Sequence, residues 1–183
     1  MLVLIKGAGD LAAGTAVRLY RAGIKVVMTE VAQPTAVRRT VAFSQCMYDG
    51  TAQVEGIVAC RAEDAGAARR ALERGEVPVL CDPEAAILRE LPFDGVVDAI
   101  LAKRNLGTAI TDAPVVLALG PGFTAGVDCH GVVETMRGHN LGRLLTQGSA
   151  APNTGVPGDV GGYTIQRIIR APADGAFEPL AAI

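Results

Sequence analysis

The chain of 183 residues has no tryptophan, only three tyrosines and four phenylalanines, and its 17 basic residues nearly balance its 19 acidic ones. Such a composition offers neither a basic stripe nor aromatic stacking platforms, which argues against DNA or RNA as a partner. Only two histidines are present, His130 and His139, too few for a His-rich metal centre. The four cysteines, Cys46, Cys60, Cys81 and Cys129, are separated by 14, 21 and 48 positions, so no C-x-x-C pair points to zinc, an iron–sulfur cluster or a redox dithiol. Reduced thiols and no intrinsic metal are the expectation. Long hydrophobic runs are missing as well. MLVLIK at the start is apolar for five positions before Lys6, far short of a secretory or membrane-spanning segment, so a cytoplasmic protein without membrane contact is expected.

What is present is a globular composition: half the residues are hydrophobic and a fifth are charged, with a net charge of -2. Leu2 to Ile5 is a continuous apolar run closed by Lys6 and Gly7, as in a strand buried on both faces of a parallel sheet. Residues 11–22 carry Leu11, Ala12, Thr15, Ala16, Leu19 and Tyr20 at helical spacing, with Gly23 placed to end the helix. KVVMTE at 25–30 reads as a second strand, 64–74 as a helix and VPVLC at 77–81 as a third strand. Residues 83–91 read as a further helix with Asp82 as N-cap and Pro83 at its first position, followed by strands at 96–101 and 115–119. Alternation of this kind predicts an α/β fold, a Rossmann-like doubly wound parallel sheet.

Residues 34–62 interrupt the alternation with short β-like pieces around Asp49-Gly50 and Glu55-Gly56, which predicts an inserted hairpin. Twelve of the 22 glycines fall between 107 and 162, and helical periodicity is lost there. The expected organisation is a nucleotide-binding domain over 1–137 and a β-rich C-terminal appendage over 138–183, with short strands near 143–146 and 163–170.

The strongest motif is Gly7-Ala8-Gly9-Asp10-Leu11-Ala12, a G-x-G-x-x-A sequence directly after the first strand and opening the first helix. Gly7 permits the tight turn, Gly9 lets a pyrophosphate approach the backbone at the helix N-terminus, and Ala12 allows close helix–strand packing. Glu30 ends the second strand, where an acidic side chain bonds a ribose hydroxyl. Asp10 runs against this pattern, because a carboxylate in a phosphate loop repels a pyrophosphate. A second glycine loop, Gly120-Pro121-Gly122, follows the fifth strand at its carboxyl end, the edge at which open parallel sheets bind ligands.

Other polar groups are weaker candidates. Cys129 beside His130 suggests a nucleophile or chalcogen carrier, although neighbours on a strand face opposite ways and a buried cysteine is the plainer reading. Glu134, Arg137, His139 and Asn140 form either an anion-binding or a structural cluster, and Asp98 with Lys103, Arg104 and Asn105 is a similar group at a strand end. Arg38 and Arg39 either neutralise phosphates or solvate a loop, the loop being favoured.

Four segments, KGAGDLAAGTAVRLYRAG, MTEVAQPTAVRRTVAFSQ, ALGPGFTAGVDCHGVVETMRGHNLGR and PNTGVPGDVGGYT, together resemble the YqeB-type accessory proteins of selenium-dependent molybdenum hydroxylases. That family is distantly similar to the accessory proteins of xanthine dehydrogenase. The resemblance implies a Rossmann-like maturation factor for a molybdenum hydroxylase apoprotein, binding NAD(P) or a molybdopterin dinucleotide, and it carries over only Gly7, Gly9 and Ala12. It also implies that RAPADGAFEPLAAI opens a small lipoyl-like β-barrel continuing past Ile183, so the appendage reads as truncated. Apolar strands left exposed without that barrel favour a homodimer. Two alternatives stand beside this reading: an NAD(P)-dependent oxidoreductase of a small metabolite, and a non-catalytic scaffold with a vestigial site. No Tyr-x-x-x-Lys pair supports the oxidoreductase.

Overall fold

A computed structural model describes residues 1–169 and 171–175 of the chain, which divides into a compact unit Met1–Pro152 and a second unit Asn153–Ile183. In chain order the first unit contains β1 (Leu2–Lys6), α1 (Asp10–Arg21), β2 (Lys25–Glu30), α2 (Cys46–Asp49), β3 (Thr51–Val54), β4 (Ile57–Ala62), α3 (Ala65–Glu73) and β5 (Val77–Cys81). It continues through β6 (Gly95–Asp98), β7 (Val115–Leu119), β8 (Thr124–Ala125), β9 (Gly131–Val133), β10 (Leu144–Leu145) and β11 (Gly148–Ser149). Nine of these strands form one sheet in the order β10-β9-β7-β6-β1-β2-β5-β4-β3. From β4 to β9 every neighbouring pair in that order is parallel, and only the outermost strands β3 and β10 pair antiparallel. This is a mixed α/β protein with a mostly parallel sheet.

Both faces of the sheet are covered, which is why β1 reads as an unbroken apolar run rather than an alternating one. Alternate residues feed two cores. Val3 and Ile5 of β1 pack with Ala12, Ala13, Ala16 and Val17 of α1 and with Phe43, while Leu4 packs on the other face with Ala65 and Ala68 of α3, Ile87 and Val96. Full burial of a side chain such as Leu4 or Ile5 contributes about 1.5–3 kcal/mol. The stripe on α1 is rotated from the expected one: Ala13 and Val17 are buried, whereas Leu11 is exposed. Small alanines let the helix lie close to the strands, and Gly23 at φ +78 ends it as expected.

The expected strands at 2–5, 25–30, 77–81 and 115–119 are present and the one expected over 96–101 is β6, which ends at Asp98, but the helices between the later strands are not formed. The helix expected over 83–91 is a short 3-10 turn, Ala86–Arg89. The residue at its N-cap is Ala85, at a left-handed φ of 52, rather than Asp82, whose two carboxylate oxygens instead reach forward to accept from the amides of Ala86 and Ile87, each at 2.9 Å. A side chain that satisfies those amides removes the need for a first α-helical turn. No helix lies between β6 and β7 or between β7 and β9 either.

The inserted hairpin is confined to 51–62. Glu55 and Gly56, at φ 48 and 81, make the turn between β3 and β4, with both central residues at positive φ as a tight hairpin turn requires. The earlier part, around Asp49-Gly50, is not β: it holds 3-10 turns at Arg39–Val41 and Phe43–Gln45 and then α2. Phe43, Ser44, Cys46 and Met47 are all buried, a spacing that a helical turn satisfies and a strand does not.

Beyond residue 137, β10 pairs with β9 and β11 pairs with β8, so 138–152 belongs to the first compact unit. Glu134 fastens this region: its carboxylate accepts from the amides of Met136 at 2.7 Å and Ala151 at 2.8 Å. In the second unit the strand expected over 163–170 is a single bridge between Val160 and Tyr163 followed by a 3-10 turn, Ile165–Arg167; residue 170 lies outside the described residues. Gly161 and Gly162 both have positive φ and reverse the chain at once, which leaves one facing pair and no ladder. The barrel expected of 170–183 falls largely outside the described residues as well.

The amide bonds from Ala151 and Met136 hold the Glu134 carboxyl below its ordinary value of 4.5. A depressed folded pKa stabilises above the unfolded value and loses that contribution as pH falls through the folded one. Glu134→Gln should therefore cost about 1–3 kcal/mol at pH 7. The gap between the two proteins should hold down to about pH 4.5 and close below it, as measured by thermal unfolding across pH.

Candidate functional site

Parallel pairing brings the carboxyl ends of β1, β2 and β6 to one level, with Lys6 beside Thr29 on one side and Asp98 on the other. The segments leaving those strands enclose a cavity of about 600 Å³. Its walls are Gly7, Gly9, Asp10 and Leu11 after β1, Glu30 and the loop from Val31 to Arg38 after β2, and Ala99, Ile100 and Leu101 after β6.

The glycine turn is held by its own backbone and by Glu30. The Gly7 amide donates to the Thr29 carbonyl at 2.8 Å, and the Ala8 carbonyl accepts from the Ser44 amide at 2.8 Å. One oxygen of Glu30 accepts from the Ala8 amide at 2.9 Å and the other from the Val31 amide at 2.8 Å. Each of these oxygens keeps a second lone pair, so Glu30 can brace the loop and still accept from a ligand hydroxyl. The two glycines differ. Gly7 has φ +93, and a Cβ there would meet the backbone of Ala99 at 3.0 Å and Ile100 at 3.1 Å. Gly9 has φ -64, and a Cβ there would meet nothing within 4 Å, so its space opens on the cavity. Ala12 is fully buried beneath the turn.

Asp10 is neutralised from an unexpected quarter. Arg38, favoured above as a solvating loop residue, reaches back with Nε 2.6 Å from Asp10 Oδ2, while Asp10 Oδ1 accepts from the Leu11 amide at 2.9 Å. The charge conflict inside the glycine loop is thus met by an arginine 28 residues away. Arg39 stays with its own loop, bonding Gln45 at 2.7 Å and lying over the Tyr48 ring at 5.7 Å. Tyr48 in turn donates to the Pro34 carbonyl at 2.7 Å and ties down the cavity loop.

Gly120 and Gly122 are not brought to this cavity. A Cβ on Gly120 would meet Thr135 Oγ1 at 2.7 Å, and one on Gly122 would meet the Arg104 amide nitrogen at 2.5 Å, so both glycines serve close packing between loops. Cys129 is buried in a hydrophobic core, and burial pushes its thiol up from the ordinary value of 9.0, away from the reactive thiolate. His130 faces outward, its amide donating to the Val116 carbonyl at 2.8 Å and its Nδ1 accepting from the Val116 amide at 3.0 Å. The pair shares neither a face nor a proton. Of the polar group around Glu134, that carboxylate is structural, and among the described residues Asn140 is hydrogen-bonded by Arg143, its carbonyl accepting from the Arg143 amide at 2.9 Å and its Oδ1 from the Arg143 side chain at 3.4 Å.

Two features were not legible as site elements. The loop from Val31 to Arg38 and the segment Ala99 to Leu101 form much of the wall, yet their residue types are ordinary loop types. Lys6 and Thr108, both buried, meet Asp98 beneath that wall. A lysine ending an otherwise apolar strand was the available signal. No group of three or more His, Cys, Asp or Glu side chains arranged to hold a metal occurs among the described residues, and no described helix is long and apolar enough to cross a membrane.

Fold and site together define a mixed α/β protein with a crevice at the carboxyl edge of a mostly parallel sheet. Neither a protein-family model nor a solved structure matches the chain. It is 56% identical over 174 residues, 95% of its length, to "Uncharacterized protein YqeB" of Escherichia coli (strain K12). The matched region is 32% of that relative, so the chain spans about a third of the relative's length.

The contrast between the glycines is directly measurable. Gly7→Ala should lose at least about 1 kcal/mol, because both its φ and its backbone contacts exclude a Cβ. Gly9→Ala should stay within about 0.5 kcal/mol of the wild type in denaturant unfolding.

Proposed function

We propose that the cavity binds a dinucleotide, with its pyrophosphate at Gly9 on the amino end of α1 and a ribose hydroxyl on Glu30. The chain would act in this way as an accessory factor in the maturation of a selenium-dependent molybdenum hydroxylase. Candidate ligands are a molybdopterin dinucleotide and NAD(P), and the protein partner is the hydroxylase apoprotein. The hydroxylase reading rests on the resemblance of the four sequence segments described above.

The observation that carries ligand binding is the convergence of the Gly7–Gly9 turn, the α1 terminus and Glu30 on one cavity of about 600 Å³. Strand order supports a Rossmann-like reading. With β4, a further parallel strand outside β5, set aside, the strands β1, β2, β5, β6, β7 and β9, numbered one to six along the chain, lie in the order 3-2-1-4-5-6. That is the order of doubly wound dinucleotide-binding sheets, whose ligands bind where the order reverses, here between β1 and β6. Glu30 disfavours a 2′-phosphate by like charge, which favours NAD over NADP among the nicotinamide dinucleotides. The titratable side chains of the lining are Asp10, Glu30 and Arg38, and both carboxylates are already engaged, Asp10 by Arg38 and the Leu11 amide and Glu30 by the Ala8 and Val31 amides, a set suited to binding a ligand.

Thermal shift with NAD, NADP, FAD, CTP and molybdopterin cytosine dinucleotide tests this reading. A ligand at about 100 times its Kd adds about 2.7 kcal/mol, enough to raise Tm by several degrees. Gly9→Asp, which the open backbone tolerates, should abolish the shift while leaving the ligand-free Tm within about 2 °C of the wild type. Wild-type protein that responds to none of the five would overturn the proposal.

A further inference from the structure

Lys6, Thr108 and Asp98 form a buried chain of polar contacts directly under the cavity wall. The Lys6 side chain is 4% exposed and that of Asp98 is 2% exposed. Lys6 Nζ donates to Thr108 Oγ1 at 2.6 Å, and the Thr108 hydroxyl donates onward to Asp98 Oδ2 at 2.6 Å; Lys6 Nζ lies 4.0 Å from that same oxygen. The hydroxyl is therefore interposed between ammonium and carboxylate. Burying two charges costs desolvation that their attraction barely repays, so such a pair adds little net stability over apolar residues of equal volume. What it imposes is geometry.

The segment that this contact closes is the one that needs geometry imposed. Between Asp98 and Thr108 the chain has no regular structure, and Leu101 and Lys103 are left-handed at φ 59 and 64, a conformation non-glycine residues hold only when their surroundings fix it. One end is fixed by the Ala99 amide on the Lys6 carbonyl at 2.9 Å and the Ile100 amide on Asp98 Oδ1 at 3.1 Å. Gly122 lies against the backbone of Arg104 in the middle. At the other end Asn105 accepts from the Thr108 amide at 2.8 Å and donates to the Thr108 carbonyl at 2.8 Å. The Thr108 hydroxyl then returns the segment to Asp98, where it began. A ring results, and its first three residues are the cavity wall Ala99 to Leu101.

We propose that the buried Lys6–Thr108–Asp98 bridge sets the position of the cavity wall, which makes Thr108 a positioning residue for the ligand that enters. This rests on the reading of the cavity as a dinucleotide site, and the test separates the two ideas. Hydrogen exchange of amides 99–104 is compared in wild type, Thr108→Val and Thr108→Ser, with Thr108→Ala in reserve if the valine variant does not fold. Loss of the hydroxyl should speed exchange across 99–104 about tenfold while leaving β2 unchanged, and serine should restore protection. The same variant should bind the ligand that shifts wild type about tenfold more weakly at a temperature where both are folded, again with rescue by serine. Wild-type exchange at 99–104 in Thr108→Val would overturn the bridge, and a loosened segment with unchanged affinity would overturn the positioning role. Failure of wild type to bind any of the five ligands would instead overturn the dinucleotide reading, with the exchange comparison still deciding the bridge.

Discussion

Everything at the candidate site depends on the parallel register of β1 with its two neighbours. Lys6 lies opposite Thr29 and Asp98, and one more rung on each side carries the ladder past the strand: the Gly7 amide reaches the Thr29 carbonyl and the Ala99 amide reaches the Lys6 carbonyl. Three chain segments must therefore leave the sheet at one level. A parallel sheet covered on both faces has no other exit for them, so the crevice follows from the pairing. Gly7 sits where two of those exits nearly touch, and a side chain there would collide with the backbone of Ala99 and Ile100.

Charge is then distributed so that no carboxylate in the crevice stands alone. Asp10 is met by Arg38 and by the amide of Leu11, and Glu30 by the amides of Ala8 and Val31. Desolvating an unpartnered carboxylate is costly, and backbone amides at the start of a helix are the least expensive partners available. The outcome is a pocket whose acids are already engaged in holding it open. Beneath it Lys6 and Asp98 cancel each other through one hydroxyl, so the floor carries two opposite charges and no net one.

Some of this could be read from residue order. The apolar runs of β1, β2, β5 and β7, the glycine that ends α1 and the Gly7–Gly9 turn are local patterns, each decided within a few residues. Where local patterns compete, the reading failed: Pro83 and Asp82 suggest a helix, but Asp82 bonds the amides of Ala86 and Ile87 and a 3-10 turn results. Gly120 and Gly122 have the composition of an anion loop, yet they are glycines because Thr135 and Arg104 lie against them. Nothing local distinguishes a glycine kept for a ligand from one kept for a neighbouring chain segment.

The sequence by itself determined the α/β class, most strand positions and the Gly7–Gly9 turn that lines the cavity, since periodicity and turn chemistry act over distances of a few residues. Tertiary structure alone decided that Arg38 answers Asp10 and that Thr108 meets Lys6 across 102 positions. Those outcomes depend on which strands become neighbours. Strand order is set by the burial of two sheet faces at once, a property of the whole chain that no single segment carries.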